Sequence, residues 1–385
     1  MQLTLRQQLT RFSHLLQSAL FPVLEEELGE LSDTNKRLIA VLNLIPLARF
    51  IPSSRGWMGR PSKYRIAIAS AFVAKAVYNF QHNRDLLDRL ASDRQLLAIC
   101  GWKHPWQVPH ESTFSRAFAE FAEMQLPQFV HEALIRETQK DRIIGHIARD
   151  STAIAVRETV KETARQRKPK QESKARARSR NRKPRKARQA GDPPTRLERQ
   201  RTMTLEEMLA ELPSHCTSSA KVSSDGHNQY WSGYKLHLDV ADGQIPISAV
   251  LTSAHLHDSQ VAIPLSTMTG KRVTALYELM DAAYDAQEIM DHVRAQGRVP
   301  IITPVARGRK SKSEIAPNPT RQLSPAEEER FRERTIVERT YGRLKDEFGG
   351  RCVRVRGAAK VMAHLMFGVL ALTADQLLRF VSDSS

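Results

Sequence analysis

Cysteine is scarce in this chain. Cys100, Cys216 and Cys352 lie far apart with no CxxC pair, which argues against a disulfide framework or a thiolate zinc site and suits a reducing cytoplasm. A long uninterrupted apolar run is also missing. The most apolar stretch, residues 361–381, is broken by His364, Asp375, Gln376 and Arg379. That leaves about 14 apolar-dominated residues where a membrane span needs roughly 20, so a buried C-terminal helix is expected and no membrane partner. The N-terminus, MQLTLRQQLTRF, has no apolar run of signal-peptide length, and the expected location is cytoplasmic.

What is abundant is positive charge. Lys and Arg number 59 against 42 Asp and Glu, a formal charge of +17, and such a surplus points to a polyanionic partner. It is concentrated. Residues 165–188 hold thirteen Lys or Arg, among them Lys168, Lys170, Arg176, Arg178, Arg180, Arg182, Lys183, Arg185 and Lys186, against one acid, Glu172. With no aliphatic side chain larger than alanine, this tract buries no face of its own and is expected to be disordered until it meets a partner. Its charge suits sequence-independent contact with DNA phosphates, the alternative being a solvated linker.

The 385 residues suggest two or three domains. Residues 1–140 read as all-helical: segments 64–80, 84–100 and 112–124 each place apolar residues at three and four spacing, with Asn83, Gly101, Pro105 and Pro109 between them. Short helices so punctuated suit a helix-turn-helix-like DNA reader or a plain packing domain. Residues 141–160 begin a second unit with a strand, a basic insert is expected over 161–230, and 231–385 complete the unit. There, two β-rich runs meet at Asp242-Gly243, a strong hairpin signal. A helix from about Ser259, a strand near 273–280, a helix 285–296 and a strand 299–305 follow. The fold class is therefore α/β, a mixed sheet flanked by helices.

The sharpest signal is residues 331–350, FRERTIVERTYGRLKDEFGG. One helix is expected from a Ser324/Glu327 capping box to the Gly349-Gly350 stop. On it, at about 100° per residue, Phe331, Arg334, Glu338 and Lys345 share a stripe roughly 60° wide. An acid with two bases is not a core face. Taken alone, an Arg334–Glu338 surface ion pair explains it.

The spacing Phe331-x2-Arg334-x3-Glu338-x6-Lys345 resembles the Tyr-x2-Arg-x3-Glu-x6-Lys signature of bacterial insertion-sequence DDE transposases, with Phe331 in place of the tyrosine. RDST at Asp150 is similar to that family's first-aspartate strand, and LMDAAYDA at Asp281 to its second-aspartate strand end and Tyr-Asp turn. SGYKLHL and LTSAHLHDSQ resemble its GYK and HDS stretches, and GRPSKYRIAIASAF with VPHESTFSRAF its helical N-terminal segment. The resemblance implies a ribonuclease H-like fold with Asp150, Asp281 and Glu338 as metal-binding catalytic acids. Phosphodiester chemistry needs such acids because hard Mg²⁺ takes oxygen ligands, and two ions activate the attacking oxygen and stabilise the leaving one. Mn²⁺ is the expected substitute.

Each acid has a plainer alternative. Asp150 caps the turn at Ser151-Thr152, Asp281 competes with Asp285, and Glu338 with Glu333 and Glu347. His255 and His257 lack partners at zinc-ligand spacing. The resemblance further implies a nucleoid-associated homodimer that binds double-stranded DNA, both terminal inverted repeats and target. Such an enzyme nicks with water to free a 3′-OH and transfers that end, while Arg334 and Lys345 contact phosphates. A non-catalytic DNA-binding protein of the same descent and a ribonuclease H-like nuclease that only hydrolyses remain as alternatives.

Overall fold

The computed structural model describes residues 4–51, 64–160, 193–222, 227–304 and 322–382. The basic tract 165–188, with all of its Lys and Arg residues, lies outside the described residues, as do Gly59–Lys63 of the N-terminal motif.

Among the described residues the chain begins with eight α-helices: α1 (Leu5–Leu15), α2 (Phe21–Leu28), α3 (Asp33–Leu44), α4 (Arg65–Val77), α5 (Asn83–Ser92), α6 (Arg94–Ile99), α7 (Glu111–Glu123) and α8 (Leu126–Gln139). Local chemistry starts several of them: Thr4 and Gln7 form a capping box on α1, Ser32 caps α3 and Asp93 caps α6. Strand β1 (Ile143–Ala155) follows, and after residue 193 come α9 (Arg196–Gln200), α10 (Leu205–Glu211) and β2 (Thr217–Val222). The expected insert over 161–230 is thus structured at its C-terminal end. Capping boxes Thr195/Glu198 and Thr204/Glu207 start the two helices. Leu197 and Met208 return apolar surface that the basic tract lacks, and both are buried.

Next come β3 (Asn228–Ala241), β4 (Ile245–Ser253), α11 (Ser259–Gly270), β5 (Thr274–Met280), α12 (Gln287–Ala295) and β6 (Val299–Ile302). The β3–β4 hairpin turns where Asp242-Gly243 signalled it, with Gly243 at φ +78° and Gln244 at φ +61°. The sheet order is β2-β3-β1-β5-β6, with β4 also on β3; β1 pairs antiparallel with β3 and parallel with β5. This is the mixed sheet with flanking helices that the sequence indicated.

The single helix expected from Ser324 is two: α13 (Pro325–Arg332) and α14 (Thr335–Glu347), broken at Glu333-Arg334 by tight i→i+3 bonds. The reason is packing. α14 buries Ile336, Val337, Tyr341 and Leu344 against the sheet, whereas α13 buries none of its residues, so only one of them is held to the sheet's direction. Phe331 is therefore not on the helix that carries Glu338. Last, α15 (Ala358–Ser382) is long and apolar enough to cross a membrane by length and composition, yet most of it is buried. It packs against α4, α7 and α8, and Phe72 of α4, Ile147 of β1 and Leu370 of α15 belong to one continuous core. The N-terminal helices and the sheet share that core.

Candidate active site

Register brings two of the acids together. β1 and β5 pair as Ile143↔Thr274 through Ala148↔Leu279. Continued two residues, the same register sets Asp281, just past the end of β5, beside Asp150. Asp281 is also among the charges that act on Asp150. Asp281 caps a short 3₁₀ turn, accepting from the Ala283 N–H at 3.0 Å. Asp285 does not cap α12, which starts at Gln287 behind Ala286.

Alternation along β1 puts Asp150 and Thr152 on the α14 face of the sheet and Arg149 on the other. The contacts agree. From α14, the Tyr341 hydroxyl is shared between the carbonyls of Asp150 (2.7 Å) and Leu236 (3.0 Å), and Lys345 Nζ donates to Thr152 Oγ1 at 2.6 Å. Tyr341 thereby stitches α14 onto the middle of the sheet at the residue that carries the first acid. Arg334, at the start of α14, lies 2.6 Å from Glu338 and 3.6 Å from Asp150 Oδ2. The Arg334–Glu338 pair is present, but it is more than a surface pair: it ties Glu338 to Asp150 through one guanidinium. Glu347 is committed elsewhere, to Arg343 (3.0 Å) and Arg37 (3.3 Å). Glu333 ends α13.

The electrostatics are those of an under-compensated acid. Burial pushes Asp150 up to about 6; the Ser151 N–H at 2.8 Å and Arg334 oppose it, while Asp281 and Asp258 add to it. Asp258 belongs to the HDS stretch and Lys235 to GYK, and the two are 2.9 Å apart. Burial works against ionised Asp258, but His237, Lys235 and Ser151 hold its carboxyl below the usual range. Among the described residues no three His, Cys, Asp or Glu converge as a metal-holding group: Asp281 sits at the register position beside Asp150, and Arg334 stands between Asp150 and Glu338. His257 hydrogen-bonds Ser259 at 2.8 Å at the start of α11, and His255 hydrogen-bonds Thr217 at 3.1 Å.

On the reverse face Arg149 is 1 % exposed and meets Asp239 through two 2.7 Å contacts and Glu278 at 3.0 Å. Ser266 and Arg298 donate to Glu278 Oε1, and Thr269 donates to Asp239 at 2.6 Å. Arg149 adjoins Asp150, and Glu278 is three residues before Asp281, so this buried network fastens the two acid-bearing strands from behind. Sequence reasoning missed it, because nothing in a lone Arg, Asp or Glu on a strand marks it as buried. It also missed Tyr341, whose one available signal was its place three residues after Glu338 on the same helix.

A family model described as a transposase DDE domain matches residues 143–374, and one described as a transposase domain (DUF772) matches residues 26–120. Comparison with curated proteins and with solved structures gives no match.

Proposed function

This chain belongs to the DDE transposase family, more than half of it being matched by that family's domain, and we propose that it binds the terminal inverted repeats of an insertion sequence, cleaves there and joins the freed 3′-OH to target DNA. Asp150, Asp281 and Glu338 are the acids of this reading. The observation that carries it is the β1–β5 register beside which α14 lies, with Arg334 within reach of two of the three acids.

DDE domains generally work with a divalent metal. The donor set fits one: its donors are carboxylate oxygens, which suit a hard cation, and Asp150 is buried with too little positive charge to hold it at an ordinary carboxylate pKa. Asp150, Asp281 and Glu338 would hold two Mg²⁺ ions, which supply Lewis-acid stabilisation to the attacking and leaving oxygens. Arg334 and Lys345 orient the phosphates beside them, since both present charge-assisted donors at that end of the sheet. The helices α4–α7, residues 64–124, read the repeat, and the tract 165–188 adds contacts set by charge alone. Two DNA ends must be held for one joining event, so the working form is a homodimer.

Purified protein incubated with a terminal-repeat duplex, a target plasmid and Mg²⁺ tests the reading. A joined product supports it. Cleavage without joining means a nuclease, and binding without either means a DNA-binding protein of transposase descent.

A further inference from the structure

Val156, one residue past the end of β1, pairs in parallel with Val353, in the segment between α14 and α15. The Val156 N–H goes to Ser232 O on the β3 side, so Val353 takes the opposite edge, the one that β5 occupies as far as Ala148. A second tie fixes the segment: the Gly357 N–H donates to Glu158 Oε2 at 2.9 Å, an oxygen that also receives the Tyr234 hydroxyl at 3.1 Å. Val353 is buried, and Val156 and Val355 pack with it into the main core. Paired residues of a ladder share a face and their neighbours alternate. Arg157 and Arg354 therefore lie side by side facing away from that core, with Arg356 two residues further on.

These three arginines differ from their neighbours on α14 and after it. Arg334, Arg343 and Arg351 are each paired with a carboxylate. Arg157, Arg354 and Arg356 have no ion-pair or hydrogen-bond partner among the described residues, and Arg354 Nε is buried without one. Arg157 and Arg356 are exposed, as is Ala155 on the same face. Residues 351–360 hold Arg351, Arg354, Arg356 and Lys360 and no acid. Guanidinium groups set on a tied-down backbone, with no carboxylate to neutralise them, make a fixed site for phosphate oxygens. Along the strand, at roughly 3.3 Å per residue, Arg157 lies on the order of 20 Å beyond Asp150, too far to touch a phosphate held at the acids. We infer that Arg157, Arg354 and Arg356 are a phosphate-binding strip that holds the backbone of double-stranded DNA beyond the acids, by charge and without reading its sequence. This rests on the reading of the chain as a DNA-binding transposase, and it puts a DNA contact inside the catalytic domain itself.

The test is Arg157→Gln/Arg356→Gln in the full chain, both side chains being exposed. Its affinity is measured for a terminal-repeat duplex and for an unrelated duplex of equal length, at salt from about 50 to 200 mM. Arg6→Gln/Arg11→Gln, which removes the same charge from exposed positions of α1, is the control, and Arg157→Lys/Arg356→Lys keeps the charge of the strip. Expected is a log–log salt slope shallower by roughly 1.8, about 0.9 for each arginine, on both duplexes alike. The α1 control and the lysine protein should keep the parent's slope. A glutamine protein with the parent's slope, or an α1 control that flattens it equally, makes the strip mere solvated charge and overturns the inference alone. So does a loss confined to the terminal repeat, which means base reading, or a lysine protein as impaired as the glutamine one, which means a structural role. A parent that binds neither duplex overturns the DNA-binding reading and this inference with it.

Discussion

Arg149→Met perturbs the support of the acids without touching them. The side chain it removes is 1 % exposed and faces Asp239 and Glu278, both fully buried. Met fills much of the space but leaves Asp239 with one hydroxyl, from Thr269, and Glu278 with Ser266 and Arg298. Breaking a buried pair from one side costs about 3–5 kcal/mol, a large part of a total stability of about 5–15 kcal/mol. Burial pushes the Asp239 carboxyl up even beside Arg149, and without Arg149 its folded pKa stands further above the unfolded value of about 3.9. An acid raised on folding costs stability in full above its folded pKa, and the cost fades as pH falls from the folded pKa to the unfolded one. The deficit against the parent should therefore be largest near pH 8 and shrink toward pH 5. Urea titrations at both values measure it, with Arg149→Met/Asp239→Leu recovering part of the loss because no orphan charge remains at that position. A deficit under about 1 kcal/mol at pH 8, or one that grows on acidification, would refute the reasoning.

Three further outcomes are expected. Tyr341→Phe, which removes the hydroxyl shared by Asp150 O and Leu236 O, should cost about 1 kcal/mol in urea and reduce cleavage by more than that loss explains, since it loosens α14 on β1 at Asp150. Gly243→Ala should lower the melting temperature, with a cost of roughly 1–3 kcal/mol from the left-handed backbone alone; φ is +78° and a Cβ would come 2.0 Å from Phe380 Cζ. Deleting residues 165–188 should weaken binding to all DNAs about equally and flatten the log–log salt dependence by roughly 0.9 for each phosphate the tract had neutralised; an unchanged slope removes the tract from the interface.

Much of the fold was legible because local signals and burial agreed. The Asp242-Gly243 hairpin, the Ser324/Glu327 capping box and the apolar C-terminal helix all appear where the residues asked for them. The break at Glu333-Arg334 was not legible, because Ser324 and Gly349 punctuate a run with no proline or glycine inside it before Gly342 other than Pro325 at its start. Only the difference in burial between α13 and α14 separates them. The candidate acids were named from their resemblance to a known pattern; what sets Asp150 beside Asp281 is a parallel register between segments more than a hundred residues apart, which no local spacing encodes. Arg149, Asp239 and Glu278 were invisible for the opposite reason: charged residues are expected at the surface, and their burial follows from tertiary pairing alone.

The claim that Asp150, Asp281 and Glu338 act as one unit is tested most directly by cleavage of a terminal-repeat duplex in Mg²⁺, with DNA binding measured alongside. Asp150→Asn, Asp281→Asn and Glu338→Gln should each bind as the parent does and each cut more slowly by on the order of a thousandfold or more. Paired variants should be no slower than single ones, as members of one catalytic unit behave. A Glu338→Gln protein that cuts within about tenfold of the parent would contradict the claim and leave the Arg334–Glu338 contact as an ion pair only.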